Sequence, residues 1–221
     1  MQTKAVIFDL DNTLIDFMKM KRTSCEAAIS AMINAGLKLD KQKALKVLFE
    51  LYDKYGLEYG LIFQKFLQKI NKKIDYKILA SGIIAYRKAQ AGVLEPYPNV
   101  VPTLIKLRAR RLKLAILSDA PRLKAWLRLV EMKLDNFFDI VICFEDTRKF
   151  KPDKEPFLLA LKKLNLKPEE CLMVGDNPKR DLKGAKVVGI KTVFAKYGSL
   201  SKTKAKPDYV INSFEELLGL V

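Results

Sequence analysis

The sequence predicts an α/β protein: a doubly wound parallel sheet with an inserted all-α domain. A short apolar strand lies near the N-terminus, residues 16–95 show helical periodicity, and strands alternate with helices from residue 96 onward. Such alternation is typical of a parallel sheet with right-handed crossovers. The first strand is too short to form a domain alone, so we expect it to join the later sheet. The predicted domains are residues 1–15 with 96–221, and residues 16–95.

The first strand, residues 4–8, ends at two aspartates one residue apart. Its last three residues are bulky and apolar, which favours a buried strand over a helix. If the chain stays extended, Asp9 and Asp11 point the same way. Neighbouring carboxylates repel each other, so this pair calls for a cation, a shared proton or a catalytic role. A plain strand end followed by an Asx-turn is the alternative that these residues alone leave open.

The inserted segment carries start and stop signals for a small helical bundle. Asp40 and Asp75 are expected N-caps, while Gly36 and Gly56 are expected to end helices. The predicted helices span residues 23–35, 41–55, 59–70 and 75–92.

A proline-rich break at residues 95–98 separates this segment from the alternating pattern. The predicted strands after it span residues 112–117, 140–144, 171–174, 191–195 and 209–211. The predicted helices between and after them span residues 122–131, 154–164, 180–187 and 214–218.

The chain is strongly basic, with a formal net charge of +16. A nucleic-acid or anionic-substrate partner would explain this charge. A lysine-rich solvated surface, as in proteins of thermophiles, also explains it. The basic residues are spread along the chain, and the densest cluster, residues 106–113, lacks interleaved aromatics and glycines. We therefore expect a solvated surface and no nucleic-acid partner.

Cysteine and histidine usage limits the chemistry. Cys25, Cys143 and Cys171 are widely spaced and odd in number, so we expect reduced thiols. The absence of histidine excludes a Ser-His-Asp triad and imidazole zinc sites. A metal would be held by oxygen ligands, which favours Mg²⁺. With no membrane-length apolar run and no charged-then-apolar leader, a cytoplasmic location and no membrane partner are expected.

Polar residues follow several predicted strands. Asp9 and Asp11 follow the first, and three later segments supply Ser118-Asp119, Lys151-Pro152 and Gly175-Asp176 with Asp181 beyond. The carboxyl ends of strands in an open α/β sheet converge on the ligand crevice. Carboxylates would hold a cation there, while a hydroxyl and an ammonium group would bind phosphate oxygens. The set predicts a site for Mg²⁺ and a phosphoryl group.

These segments, in this order, resemble the four motifs of the haloacid dehalogenase-like (HAD) hydrolases. Asp9-Leu10-Asp11-Asn12-Thr13 and the stretch from Gly175 to Asp181 are the specific ones, and the resemblance covers nearly the whole chain. It implies a Rossmann-like core, and it identifies the helical insert with the C1-type cap of that family. The presence of Asp11 implies the phosphatase branch, because this aspartate protonates an alkoxide that a dehalogenase does not release.

The resemblance also implies roles. Asp9 would be the nucleophile that forms an aspartyl-phosphate, and Asp11 the general acid and then base. Lys151 would neutralise the phosphoryl group and orient Asp9, although Arg148 and Lys149 lie close enough in sequence to compete for that role. The metal ligands would be Asp9, the backbone carbonyl of Asp11, Asp176 and, directly or through water, Asp181. The phosphate-site residues would be Thr13, Ser118, the backbone of Asp119, Lys151 and Asn177.

Several alternatives stay open from the sequence. Asp119 could instead be a capping residue, and Asn177 could contact phosphate or water. The expected partner is a small phosphorylated metabolite, such as a sugar phosphate or glyceraldehyde 3-phosphate; similarity to archaeal triose-phosphate phosphatases favours testing the triose first. A 2-haloacid dehalogenase, a phosphomutase, a phosphonoacetaldehyde hydrolase using a lysine such as Lys19 or Lys21, and a non-enzymatic nucleic-acid or phospho-ligand binder are the rival functions. The oligomeric state is open.

Overall fold

A computed structural model describes residues 2–201 and 206–221. The chain divides into two compact units. One contains the chain up to Asp16 together with Glu95–Val221, and the other is Phe17–Leu94. Whether the two units fold as separate domains, with the boundaries expected above, stays a prediction.

The first unit is built on a six-stranded sheet. Its strands are β1 (Ala5–Phe8), β2 (Lys113–Leu117), β3 (Ile140–Ile142), β4 (Cys171–Gly175), β5 (Lys191–Ala195) and β6 (Tyr209–Ile211). They lie in the order β3-β2-β1-β4-β5-β6, and every neighbouring pair is parallel. The predicted α/β, doubly wound fold class is confirmed, and the strand order reverses between β1 and β4.

The second unit is entirely helical. It consists of α1 (Phe17–Asn34), α2 (Lys41–Tyr55), α3 (Ile62–Asn71) and α4 (Tyr76–Val93). Asp40 and Asp75 cap α2 and α4 as predicted, because their carboxylates accept backbone N–H groups of the first turn. Lys21 of α1 is buried within this unit, with its ammonium 4.3 Å from the Tyr52 ring centroid and 5.3 Å from that of Tyr86.

Helices accompany the strands of the first unit. They are α5 (Val100–Ala109), α6 (Arg122–Glu131), α7 (Phe144–Thr147), α8 (Lys154–Leu164) and α9 (Lys183–Val187). On one face of the sheet, Ile7 shares a buried cluster with Phe157 of α8. On the other face, Phe8 packs against Phe138 and Phe214. Successive residues of β1 thus point into different cores, which explains why all four are buried.

Some predicted helix bounds were wrong. The first helix begins at Phe17 rather than residue 23, because Met20 and Lys21 lie on its buried face and continue the helix through a basic stretch. The helix predicted from residue 180 is instead a π-helical turn, Pro178–Leu182, followed by α9. The last predicted helix is a 3₁₀ helix, Phe214–Gly219. None of the helices in the described ranges combines the length and the apolar character that crossing a membrane requires.

Candidate active site

Strand register brings the motif segments together. Phe8 of β1 is aligned with Ile116 on β2 and with Val174 on β4. The backbone N–H of Asp9 still donates to the Val174 carbonyl, at 2.9 Å. The residues that follow these strands therefore emerge at one edge of the sheet. The expected convergence of Asp9, Ser118 and Asp176 on this edge follows directly from three neighbouring parallel strands.

Asp9 and Lys151 form a buried ion pair. Lys151 Nζ donates to Asp9 Oδ1 at 2.6 Å and to the Leu117 carbonyl at 2.8 Å, and it lies 2.7 Å from Asp181 Oδ1. Burial alone would raise the pKa of Asp9, but the charges of Lys151 and Arg180 outweigh it and lower that pKa. Asp9 is thus held as the carboxylate that a nucleophile needs.

The ammonium of Lys151 is held charged in the same way. Burial would lower its pKa, but Asp181 and Asp9 outweigh that effect and raise it. The competing candidates Arg148 and Lys149 are both exposed. Among these three neighbouring basic residues, Lys151 is the one that reaches the buried carboxylates.

Three buried carboxylates form a cluster suited to a cation. Oxygens of Asp9, Asp176 and Asp181 all lie within 4.8 Å of one another. Burial, and then the charges of Asp9 and Asp181, raise the pKa of Asp176 to about 8. Within the described part of the chain, buried Asp176 Oδ1 has no hydrogen-bond partner. An oxygen-only donor set with an orphaned buried carboxylate oxygen fits Mg²⁺.

Arg180, which the sequence reasoning missed, faces the same cluster. Its Nη2 donates to Asp9 Oδ2 at 3.0 Å and lies 3.6 Å from Asp176 Oδ1, beyond hydrogen-bond distance. Its Nε lies 3.4 Å from Asp181 Oδ1 and 3.5 Å from Asp119 Oδ2. Burial would lower the pKa of the guanidinium, but these carboxylates raise it. The signal available in the sequence was that Arg180 lies four residues after Asp176, within the motif from Gly175 to Asp181.

Asp11 does not join the carboxylate cluster with its side chain. Strand β1 ends at Phe8, and Asn12 adopts a left-handed conformation with φ of 62°, so the extended geometry is lost within this loop. The condition under which Asp9 and Asp11 would point the same way, an extended chain as far as Asp11, is therefore not met. Instead, Arg128 Nη1 donates to Asp11 Oδ1 and Oδ2 at 3.0 and 2.8 Å. The predicted metal contact of Asp11, through its backbone carbonyl, stays a prediction.

Thr13 and Ser118 are both buried beside this edge. Thr13 Oγ1 donates to Asp9 Oδ2 at 3.5 Å, and the Thr13 carbonyl accepts a 2.7 Å hydrogen bond from the Tyr197 hydroxyl. Ser118 Oγ accepts the Ala120 N–H at 3.1 Å. The hydrogen bond from Tyr197 therefore holds the loop after β1 at Thr13, and the predicted phosphate contacts of Thr13 and Ser118 stay predictions.

Asp119 and Asn177 have positioning contacts. Asp119 Oδ1 accepts the backbone N–H of Lys151 at 3.0 Å, and burial is the largest cause of its raised pKa. Asn177 Oδ1 accepts the Lys179 N–H at 3.1 Å, and the Asn177 N–H donates to Asp181 Oδ2 at 3.0 Å. Asp119 thus fixes the lysine loop, and Asn177 caps the turn that holds Asp181. Their predicted phosphate contacts stay predictions.

Comparisons with known proteins agree with this architecture. A family model described as haloacid dehalogenase-like hydrolase matches residues 3–189. The chain is 36% identical to a glyceraldehyde 3-phosphate phosphatase of Methanocaldococcus jannaschii, over 99% of this chain and 96% of the relative. It is 35% identical to a protein of the same name from Pyrococcus furiosus, over 99% of this chain and 92% of that relative. A HAD phosphatase structure from Thermococcus onnurineus is similar with a TM-score of 0.71 and 27% identity, covering 99% and 97% of the two chains. The chain therefore belongs to the haloacid dehalogenase-like hydrolases, as its four motifs suggest.

Proposed function

We propose that the protein is a Mg²⁺-dependent phosphatase that hydrolyses a small phosphate monoester through an aspartyl-phosphate on Asp9. The observation that carries this proposal is the environment of Asp9. Its carboxylate is buried, kept ionised by Lys151, and adjacent to the Asp176 and Asp181 carboxylates. A buried anionic nucleophile beside a cation site is the arrangement that attack on a phosphate dianion requires.

The reaction would proceed in two displacements at phosphorus. An Asp9 carboxylate oxygen forms a bond to phosphorus as the ester P–O bond breaks, and Asp11 gives a proton to the leaving alkoxide. Water then attacks the aspartyl-phosphate, Asp11 takes the proton from that water, and inorganic phosphate leaves. Lys151 offsets the charge of the transferring group throughout, because its ammonium already lies 2.6 Å from Asp9.

The cation would be held by Asp9, Asp176 and Asp181, with the Asp11 backbone carbonyl as a further ligand. When bound, Mg²⁺ supplies the positive charge that reduces repulsion between the phosphate dianion and the nucleophilic carboxylate. Ser118, Thr13, Asn177 and the backbone N–H of Asp119 would donate hydrogen bonds to the phosphate oxygens.

We propose glyceraldehyde 3-phosphate as the first substrate to test. The support is that relatives named glyceraldehyde 3-phosphate phosphatase match nearly the full length of this chain. A dehalogenase or a phosphomutase would share the nucleophile. Asp11 favours the phosphatase over the dehalogenase, because the halide that a dehalogenase expels needs no proton.

The test of this function is p-nitrophenyl phosphate hydrolysis with and without Mg²⁺, followed by a screen of small phosphate esters. Asp9→Asn should lower kcat by about a thousandfold or more, because an amide oxygen is a poor nucleophile. Asp53→Asn, which changes an exposed aspartate of α2, should leave the rate unchanged. Absence of turnover by folded native protein with Mg²⁺, Mn²⁺ or Co²⁺ would contradict the proposal.

We further propose a cytoplasmic location in a thermophile. Cys25, Cys143 and Cys171 are free and buried, as expected in a reducing compartment, and the surface is rich in lysine. Thermal unfolding above about 70 °C would support the thermophilic source. Three titratable thiols in the denatured protein would support the reducing compartment.

A further inference from the structure

Helix α6 carries an arginine on its buried face. Arg128 is 4% exposed, whereas its neighbours Leu123 and Leu127 are 71% and 61% exposed. A guanidinium is almost never buried without a partner, since removing a charge from water is costly. The orientation of this helix thus places a cation inside the unit while leaving Leu123 and Leu127 exposed.

The Arg128 guanidinium is directed at Asp11. Its Nη1 donates to both carboxylate oxygens, at 3.0 and 2.8 Å, across 117 residues of sequence. The Arg128 side chain is 5% exposed and the Asp11 side chain 20% exposed. The arginine therefore holds the carboxylate from the buried side, and part of Asp11 remains open to solvent.

The Asp11 side chain needs such a restraint because the hydrogen bonds of its loop, such as that from the Asn12 N–H to the Ile15 carbonyl at 2.7 Å, fix only the backbone. Asp11 follows a strand that has already ended, and Asn12 after it has a positive φ. Proton transfer to a leaving group requires the carboxyl oxygen within hydrogen-bond distance and correctly directed. Rotation of a free aspartate side chain would remove that oxygen from the reaction path.

We propose that Arg128 is a positioning residue that fixes the general acid–base Asp11. This inference rests on the phosphatase function proposed above and adds a residue that lies in none of the four motifs. Arg128 acts on the proton donor and not on the phosphoryl group. Loss of Arg128 should therefore lower kcat/KM most for esters whose leaving group needs a proton.

The experiment compares kcat/KM for phenyl phosphate and p-nitrophenyl phosphate. Phenolate is about as basic as the tyrosine side chain, with a pKa of ~10, while nitrophenolate is a much weaker base that leaves without a proton. Arg128→Met should lower kcat/KM about 10- to 100-fold for phenyl phosphate and less than about threefold for p-nitrophenyl phosphate, with KM nearly unchanged. Arg128→Lys should recover part of the loss, because a charged donor remains.

Two controls separate positioning from general damage. Arg122→Met removes an exposed arginine at the start of the same helix, paired with Asp146 at 3.1 Å, and should not discriminate between the two esters. In an Asp11→Asn background, Arg128→Met should cost no further activity, since its target is already lost. This second comparison also detects destabilisation. If Arg128→Met merely destabilised the protein, it would lower the rates for both esters in the Asp11→Asn background as well.

The outcomes are distinguishable. Failure of the native chain to hydrolyse either ester would remove the phosphatase proposal and this inference with it. If the native chain is active, three results would overturn only the role of Arg128. These are an equal loss of activity on both esters in Arg128→Met, a rise in KM alone, and a further loss of activity in the Asp11→Asn background.

Discussion

Asp176 is the residue whose protonation should govern cation binding. Its pKa is raised to about 8 by burial and by Asp9 and Asp181, so we expect the metal-free protein to hold a proton there at neutral pH. A metal ligand must be the carboxylate, so binding has to expel that proton. Apparent Mg²⁺ affinity should therefore rise with pH by up to about tenfold per unit, and level off above about pH 8.

Isothermal titration calorimetry in buffers of different ionisation enthalpy measures this release. Close to one proton per Mg²⁺ is expected at pH 7, falling toward none at pH 9. Asp176→Asn should abolish both the binding and the release. An affinity that is constant from pH 6 to 8 would contradict the raised pKa.

We expect Arg180 to compete with the cation for the same carboxylates. Its guanidinium contacts Asp9 and Asp181 at 3.0 and 3.4 Å. Arg180→Met removes this internal positive charge, so Mg²⁺ should bind about tenfold more tightly, corresponding to ~1.4 kcal/mol. Lys179→Met is the matched control, because it removes one charge from the adjacent, exposed residue. Equal changes in the two variants by calorimetry would mean that only net charge matters.

At the scale of elements, Gly175 connects strand β4 to the turn that holds Asp181. A Cβ at this position would lie 2.5 Å from Asp181 Cβ and 2.7 Å from its Cγ. Gly175→Ala should therefore displace Asp181, destabilise the protein by about 1–3 kcal/mol and weaken Mg²⁺ binding. Thermal unfolding with and without Mg²⁺ measures both effects.

The control for this change is Gly92 on the exposed side of α4, where an added Cβ would meet nothing within 4 Å. Gly92→Ala should raise stability by up to about 1 kcal/mol, because alanine favours the helix. If Gly175→Ala behaved in the same way, the close approach to Asp181 would not constrain the site.

Strand ends were the most predictable elements of the site. Asp9, Ser118 and Asp176 each follow a short apolar strand, and parallel neighbours necessarily bring those ends together. Lys151 was preferred to Arg148 because a proline and a helix start follow it, and Lys151 is the one that contacts Asp9. These inferences depend only on local pattern and on sheet topology.

Helical and looped residues were less predictable. Arg128 stands between two leucines, and periodicity alone does not show that α6 turns Leu127 outward and the arginine inward. The direction of Asp11 depends on where β1 ends, and the strand ends at Phe8, three residues before Asp11. Such features depend on how one element packs against another, and a single sequence does not record that packing.

At the scale of the whole molecule, the net charge of +16 makes two predictions possible. A nucleic-acid-binding protein would concentrate its basic residues into one surface and would lose affinity steeply with added salt. A phosphatase with a lysine-rich surface would instead attract small anionic substrates through a diffuse field, which salt screens over about 8 Å at 0.15 M.

The second behaviour is expected here, because several basic side chains are already engaged in scattered ion pairs, such as Lys4 with Glu170 and Arg108 with Asp139. Fluorescence anisotropy with a 20-base-pair duplex in 0.15 M salt should give a dissociation constant no tighter than about 10⁻⁶ M, the non-specific range. Excess duplex should leave the hydrolysis rate of p-nitrophenyl phosphate unchanged. Nanomolar binding with a steep salt dependence, together with absent turnover, would instead favour a nucleic-acid binder built on this fold.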